Sequence, residues 1–150
     1  MSYEQYKKQA LSDLKSYNEL KNNIKVLQQR IKFLKKGDIY TAPPTAQTKV
    51  MQSHGGDSAM VRHISQLEAM ESRLQQTKLM LNNMDNALAM LSCKERDILT
   101  SFYINRQRRS VTKLAEETFS DRSWLYRRAQ KALEHYIFEY FGVSKDDFAA

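Results

Sequence analysis

Residues 91–142 read LSCKERDILTSFYINRQRRSVTKLAEETFSDRSWLYRRAQKALEHYIFEYFG, and this stretch decides the fold. Ser92 followed three residues later by Glu95 forms a capping box, whose hydroxyl and carboxylate satisfy two amides that a new helix leaves open. The helix that follows carries Ile98, Leu99, Phe102 and Tyr103 on one face and gives way to the polar run Asn105–Arg109. Ser110 is then placed to cap a short helix with Val111, Leu114 and Ala115 inward. A break at Phe119-Ser120-Asp121 leads to a last helix, capped by Ser120 or Asp121 and ended by Gly142. Its inward face is Leu125, Ala129, Ala132, Leu133, Tyr136, Ile137 and Tyr140.

Three helices, the middle one short and joined to the third by about three residues, outline a helix-turn-helix. Such a module holds one face of its last helix against a small core and projects donors from the other into a major groove. The outward face here offers Arg122, Ser123, Tyr126, Arg127, Gln130 and Lys131 as candidate base-contacting residues. Arg and Gln suit bidentate contact with guanine and adenine edges. Arg106, Arg108, Arg109, Ser110 and Lys113, around the start of the short helix, are candidate contacts to the phosphate backbone, the source of most sequence-independent affinity. Trp124 is expected to pack on neighbouring helices, with a place against the sugar-phosphate edge as the alternative. Tyr136, Phe138, Tyr140 and Phe141 are expected in the core or at a dimer contact.

Residues 91–136 resemble the region 4 helix-turn-helix of sigma factors. More narrowly, they resemble the RinA/ArpU-like regulators of late gene expression in phages of low-GC Gram-positive bacteria. The residues that carry the resemblance are Leu91-Ser92 with Glu95-Arg96, then Ser110-Val111 and Leu114-Ala115-Glu116-Glu117, then Ser123, Tyr126-Arg127 and Lys131-Ala132-Leu133. The turn Thr118–Asp121 is one residue longer than that pattern, and the aromatic tail is heavier. The resemblance implies a sequence-specific transcription regulator of phage or prophage origin, acting on late or structural gene promoters in a bacterial cytoplasm. Its implied partners are double-stranded DNA, a second copy of itself, and the host RNA polymerase.

Working outward, residues 1–91 carry two amphipathic patterns. In the first, Tyr3, Tyr6, Ala10, Tyr17, Leu20, Ile24, Leu27, Ile31 and Leu34 recur at alternating steps of three and four, a coiled-coil seam broken only at Asp13, where Leu14 supplies the neighbouring contact. This predicts one helix from Tyr3 to Leu34, about 50 Å long, stopped at Gly37. Residues 37–58, with Pro43, Pro44, Gly55 and Gly56, read as a connecting loop. In the second, Met60, Ile64, Leu67, Met70, Leu74, Thr77, Leu81, Met84, Leu88 and Leu91 form another stripe, capped by Asp57 or Ser58. Two such helices joined by one loop most simply pack antiparallel, with parallel pairing between chains as the competing arrangement. The expected organisation is therefore all-α. A coiled-coil-like hairpin over 1–91 would serve oligomerisation or partner binding, and a DNA-binding domain would occupy 92–150.

The basic excess is compatible with a polyanionic partner and equally with a surface that is basic for solubility alone. The net charge is +7, and Lys94–Lys131 alone holds ten basic residues against five acidic. Residues 1–37 add nine basic against three acidic, including Lys21, Lys25, Lys32, Lys35 and Lys36, which are expected to form the solvated face of the first helix. One cysteine, Cys93, allows no internal disulfide. No apolar run approaches the roughly 20 residues of a membrane span, and MSYEQYKKQ lacks the apolar core of a signal peptide. His54, His63 and Cys93 have no zinc-ligand spacing. No phosphate-cradling glycine loop, paired catalytic carboxylates or nucleophile motif occurs, so neither enzyme nor cofactor is expected. Two other functions fit the pattern: the DNA-recognition small subunit of a phage packaging terminase, and a helical adaptor that holds a protein partner.

Overall fold

The structure, a computed structural model, describes residues 1–40 and 54–149. The protein is all-α, with no strand among the described residues. In chain order the helices are α1 Tyr3–Lys15, α2 Tyr17–Tyr40, α3 His54–Ala89, α4 Cys93–Leu99, α5 Ser110–Thr118 and α6 Arg122–Phe141. A π turn, Thr100–Ile104, follows α4, and a 3-10 turn, Lys145–Phe148, follows α6.

The chain divides into two compact units, Met1–Leu20 with Met80–Ala150, and Lys21–Leu79. This is not the division at Leu91 that the change of pattern suggested. The ends of the two long amphipathic stretches pack with the C-terminal helices because their apolar side chains find their largest partners there. In the first unit, Tyr3, Ala10 and Leu14 of α1 and Met84, Ala87, Leu88 and Leu91 are buried in one cluster with Leu99 and with Ala132, Leu133, Tyr136 and Ile137 of α6. A second cluster in the same unit joins Ile98, Phe102, Val111, Leu114, Leu125 and Ala129. Helix α6 thus serves both cores, its N-terminal half one and its C-terminal half the other. The π turn, closed by Asn105 N–H donating to Thr100 O at 2.8 Å, inserts an extra residue into that turn of helix. Leu99 faces the first cluster and Phe102 the second, so the single shared face expected for them is split.

Three further expectations are corrected. The first helix is broken at Ser16, whose N–H is shared between Ser12 O and Asp13 O, both at 3.1 Å, before α2 begins at Tyr17. Gly37 does not stop α2, which runs on to Tyr40; glycine weakens a helix by about 1 kcal/mol without forbidding it. α3 begins at His54, ahead of the expected caps Asp57 and Ser58. The rest of the expected loop, 41–53, lies outside the described residues.

Asp13, the break in the seam, is buried at 5 % exposure, and its carboxylate accepts a 2.8 Å bond from Gln9 Nε2. Burial pushes its pKa above the ordinary carboxylate range, against the opposing pull of Gln9. In the second unit, Leu27, Ile31 and Leu74 are buried, with Ile24, Leu67 and Met70 packed beside them, and Lys35 Nζ lies 3.5 Å from Glu71. The seam does not extend to Met60 and Ile64, which are exposed together with Val61 and Phe33.

Candidate nucleic-acid interface

Helix α6 is anchored by what it buries. Leu125 and Ala129 are each 1 % exposed within the second cluster, and Leu133 is equally buried in the first. Helical geometry then turns the intervening residues outward. Arg122, Ser123, Arg127 and Lys131 are exposed, and Gln130 is half-buried. Tyr126 is 46 % exposed, because one edge of its ring rests on Phe102 with centroids 5.1 Å apart and planes at 83°. The contact fixes the ring while leaving its outer edge accessible.

Trp124 does not pack inward as expected. It is 42 % exposed, and the Arg128 guanidinium carbon lies 5.0 Å from its ring centroid. A cation over an indole face is attracted by the ring quadrupole, so Arg128 is held in place on the surface. The spacing of four residues between an aromatic and an arginine on one helix was the available signal for this pair.

Asp121 takes the N-cap position of α6 with extended backbone, and Leu125 N–H donates to its carbonyl at 3.0 Å, but its side chain makes no capping bond. Before α5 the cap position belongs to Arg109, not to Ser110. Arg109 has left-handed backbone, φ 70°, while Ser110 is the first helical residue and its Oγ accepts 2.7 Å from Gln107 N–H. Ser110 therefore ties back the 105–109 loop. Arg106, Arg108, Arg109 and Lys113 are exposed, and none forms an ion pair among the described residues. The same holds for Arg122, Arg127, Arg128 and Lys131, so eight cations on the exposed surfaces of α5, α6 and the loop before them stand without a carboxylate partner among the described residues.

The turn between α5 and α6 has a feature that sequence reading missed. Ser120 N–H donates to Ala115 O at 3.0 Å and Phe119 N–H to Glu116 O at 3.4 Å, the paired bonds of a Schellman motif. The motif requires a left-handed residue at Phe119, φ 54° and ψ 39°, where glycine is usual. A side chain there costs about 1–2 kcal/mol, and Phe119 is nonetheless 97 % exposed. Ser120 Oγ also donates to Thr118 O at 3.2 Å, which stiffens the turn.

On another side of α6, His135 stands between two carboxylates, with Nδ1 3.0 Å from Glu95 Oε2 and Nε2 3.3 Å from Glu139 Oε1. Glu95 also completes the predicted capping box, accepting from Ser92 N–H at 3.0 Å while Ser92 Oγ accepts from Glu95 N–H at 3.2 Å. Burial works to raise the Glu95 pKa, but the Ser92 amide and His135 outweigh it and hold the carboxyl below its ordinary range. Tyr136 is buried in the core and Tyr140 and Phe141 partly so, whereas Phe138 is 51 % exposed. Among the described residues no group of His, Cys, Asp and Glu could hold a metal ion, and no helix is long and apolar enough to cross a membrane. Compared with known proteins, the chain matches no family model, no curated protein and no solved structure.

Proposed function

We propose that this protein is a sequence-specific DNA-binding transcription regulator in which α5 and α6 act as a helix-turn-helix. One observation carries the reading: a helix backed by Leu125, Ala129 and Leu133 turns Arg122, Ser123, Tyr126, Arg127 and Lys131 outward, with no carboxylate partner for its cations among the described residues. Unpaired guanidinium and ammonium groups on a rigid ridge are what base edges and phosphates demand. Gln130, half-buried, has less freedom to reach a base than its neighbours. The Arg106–Arg109 loop and Lys113 fit the backbone phosphates. Arg128, held over Trp124, joins them as a cation whose placement is already fixed. The resemblance of residues 91–136 to RinA/ArpU-like regulators favours late or structural gene promoters of a phage or prophage as the targets.

The protein is further proposed to act as a dimer. The exposed Met60, Val61, Ile64 and Phe33 in a unit with a small core favour a second copy as their cover. Selection of binding sites from random duplex DNA tests both parts. The expected result is a defined site with two-fold symmetry; an asymmetric site rejects the dimer, and failure to enrich any sequence rejects the regulator. On the selected site, Arg127→Ala should cost about 1–3 kcal/mol of discrimination at one base pair. Arg108→Ala should weaken all duplexes alike and lower the salt slope by about 1.

A further inference from the structure

We infer that Phe119 is a base-reading side chain that packs against the 5-methyl group of a thymine at the edge of the site entered by α6. The inference rests on the DNA-binding reading and extends it to a residue on the turn.

Two observations meet at this residue, which is the apolar one of the two left-handed non-glycine residues among those described. The first is strain: Phe119 holds left-handed backbone that glycine adopts freely and a β-carbon resists. The second is exposure, since the ring is 97 % accessible and so recovers nothing by packing within the chain. A side chain that destabilises the turn and rests on nothing is explained by a contact made outside the molecule. The turn is also stiff. Bonds from Ser120 N–H to Ala115 O, from Phe119 N–H to Glu116 O and from Ser120 Oγ to Thr118 O fix the backbone on both sides of the residue. The ring therefore leaves the surface from a rigid base.

Its position selects the partner. Phe119 lies two residues before Asp121, the N-cap of α6, and three before Arg122. The N-terminal turn of a groove-reading helix is the part that meets base edges. Among the features of the major-groove floor, the thymine methyl is the apolar one, and phenylalanine is among the side chains suited to it.

The test uses the full chain and the duplex selected by the wild-type protein. Each thymine is replaced in turn by deoxyuridine, which removes the methyl and nothing else, and affinities are measured for wild type and Phe119→Gly. At one or two positions the replacement should weaken wild type about fourfold, the worth of one buried methyl group, and leave Phe119→Gly unchanged. Phe119→Gly should bind the parent duplex more weakly while melting at the same temperature or about 2–4 °C higher, which separates lost contact from lost fold. If every thymine replacement acts equally on both proteins, or if Phe119→Gly binds the parent duplex as wild type does, the inference is overturned and the ring serves another partner. If wild type selects no duplex at all, the DNA-binding reading falls, and this inference with it.

Discussion

Asp13 and Glu95 show burial acting alike on two carboxylates and hydrogen bonding deciding opposite outcomes. Asp13 accepts from Gln9 and is buried at 5 % exposure, so the protonated form is favoured and its pKa rises. The folded state then binds a proton more tightly than the unfolded chain does, and stability falls as pH rises from the ordinary carboxylate value through the raised one. Asp13→Asn keeps the acceptor for Gln9 and removes the buried charge. Urea titrations should therefore find it more stable than wild type at pH 7, with the gap closing as pH falls through that window. Glu95 is the reverse case. The Ser92 amide and His135 stabilise its ionised form despite burial, so its contribution is present above the ordinary carboxylate range and is lost as pH falls through the lowered value. Ser92→Ala removes the hydroxyl half of the capping box and should cost about 1 kcal/mol of unfolding free energy at neutral pH, measured by chemical denaturation.

At the scale of elements, α6 was the most legible part of the chain. Leu125, Ala129, Ala132, Leu133, Tyr136 and Ile137 were read as inward from spacing alone, and all six are buried. The Ser92/Glu95 box and the stop at Gly142, φ 73°, were equally clear, because each rests on a bond or a backbone angle that only a few residue types can provide. What stayed hidden depends on partners distant in sequence. Spacing marked Asp13 as a gap in a seam, yet it is enclosed, because α1 packs against α6. Trp124 was expected to pack because of its size, but the helix rotation set by Leu125 and Ala129 leaves it at the surface under Arg128. Ser110 has the chemistry of a cap, but the left-handed Arg109 takes that position. Phe119 carries no sequence signal for its backbone, since aromatic residues rarely adopt it.

For the molecule as a whole, the division into units decides how it can be dissected. A fragment cut at the sequence boundary, residues 92–150, would keep the second cluster but strip Tyr3, Ala10, Leu14, Met84, Ala87, Leu88 and Leu91 from the first. Fully buried Tyr136 and Ile137 would then face water. Such a fragment should lack a cooperative melt. Joining Met1–Leu20 to Met80–Ala150 through a short flexible linker should restore one, as followed by circular dichroism. The outward placement of Arg122, Ser123, Tyr126, Arg127 and Lys131 on α6 was legible from local pattern, whereas the part of the support for its C-terminal half that comes from α1, far away in the sequence, was not.

The return of α1 to α6 also bears on how the protein is made. Ala10 and Leu14 leave the ribosome well before Leu133, Tyr136 and Ile137, which share their cluster and lie far along the chain. Until that later segment is made, the nascent chain must carry an amphipathic helix with an uncovered apolar stripe, which invites chaperone binding or aggregation. Closing so long a loop also costs chain entropy before any contact rewards it. For an all-helical unit, the first should therefore be slow to assemble, because its core is complete only when both distant segments have been made.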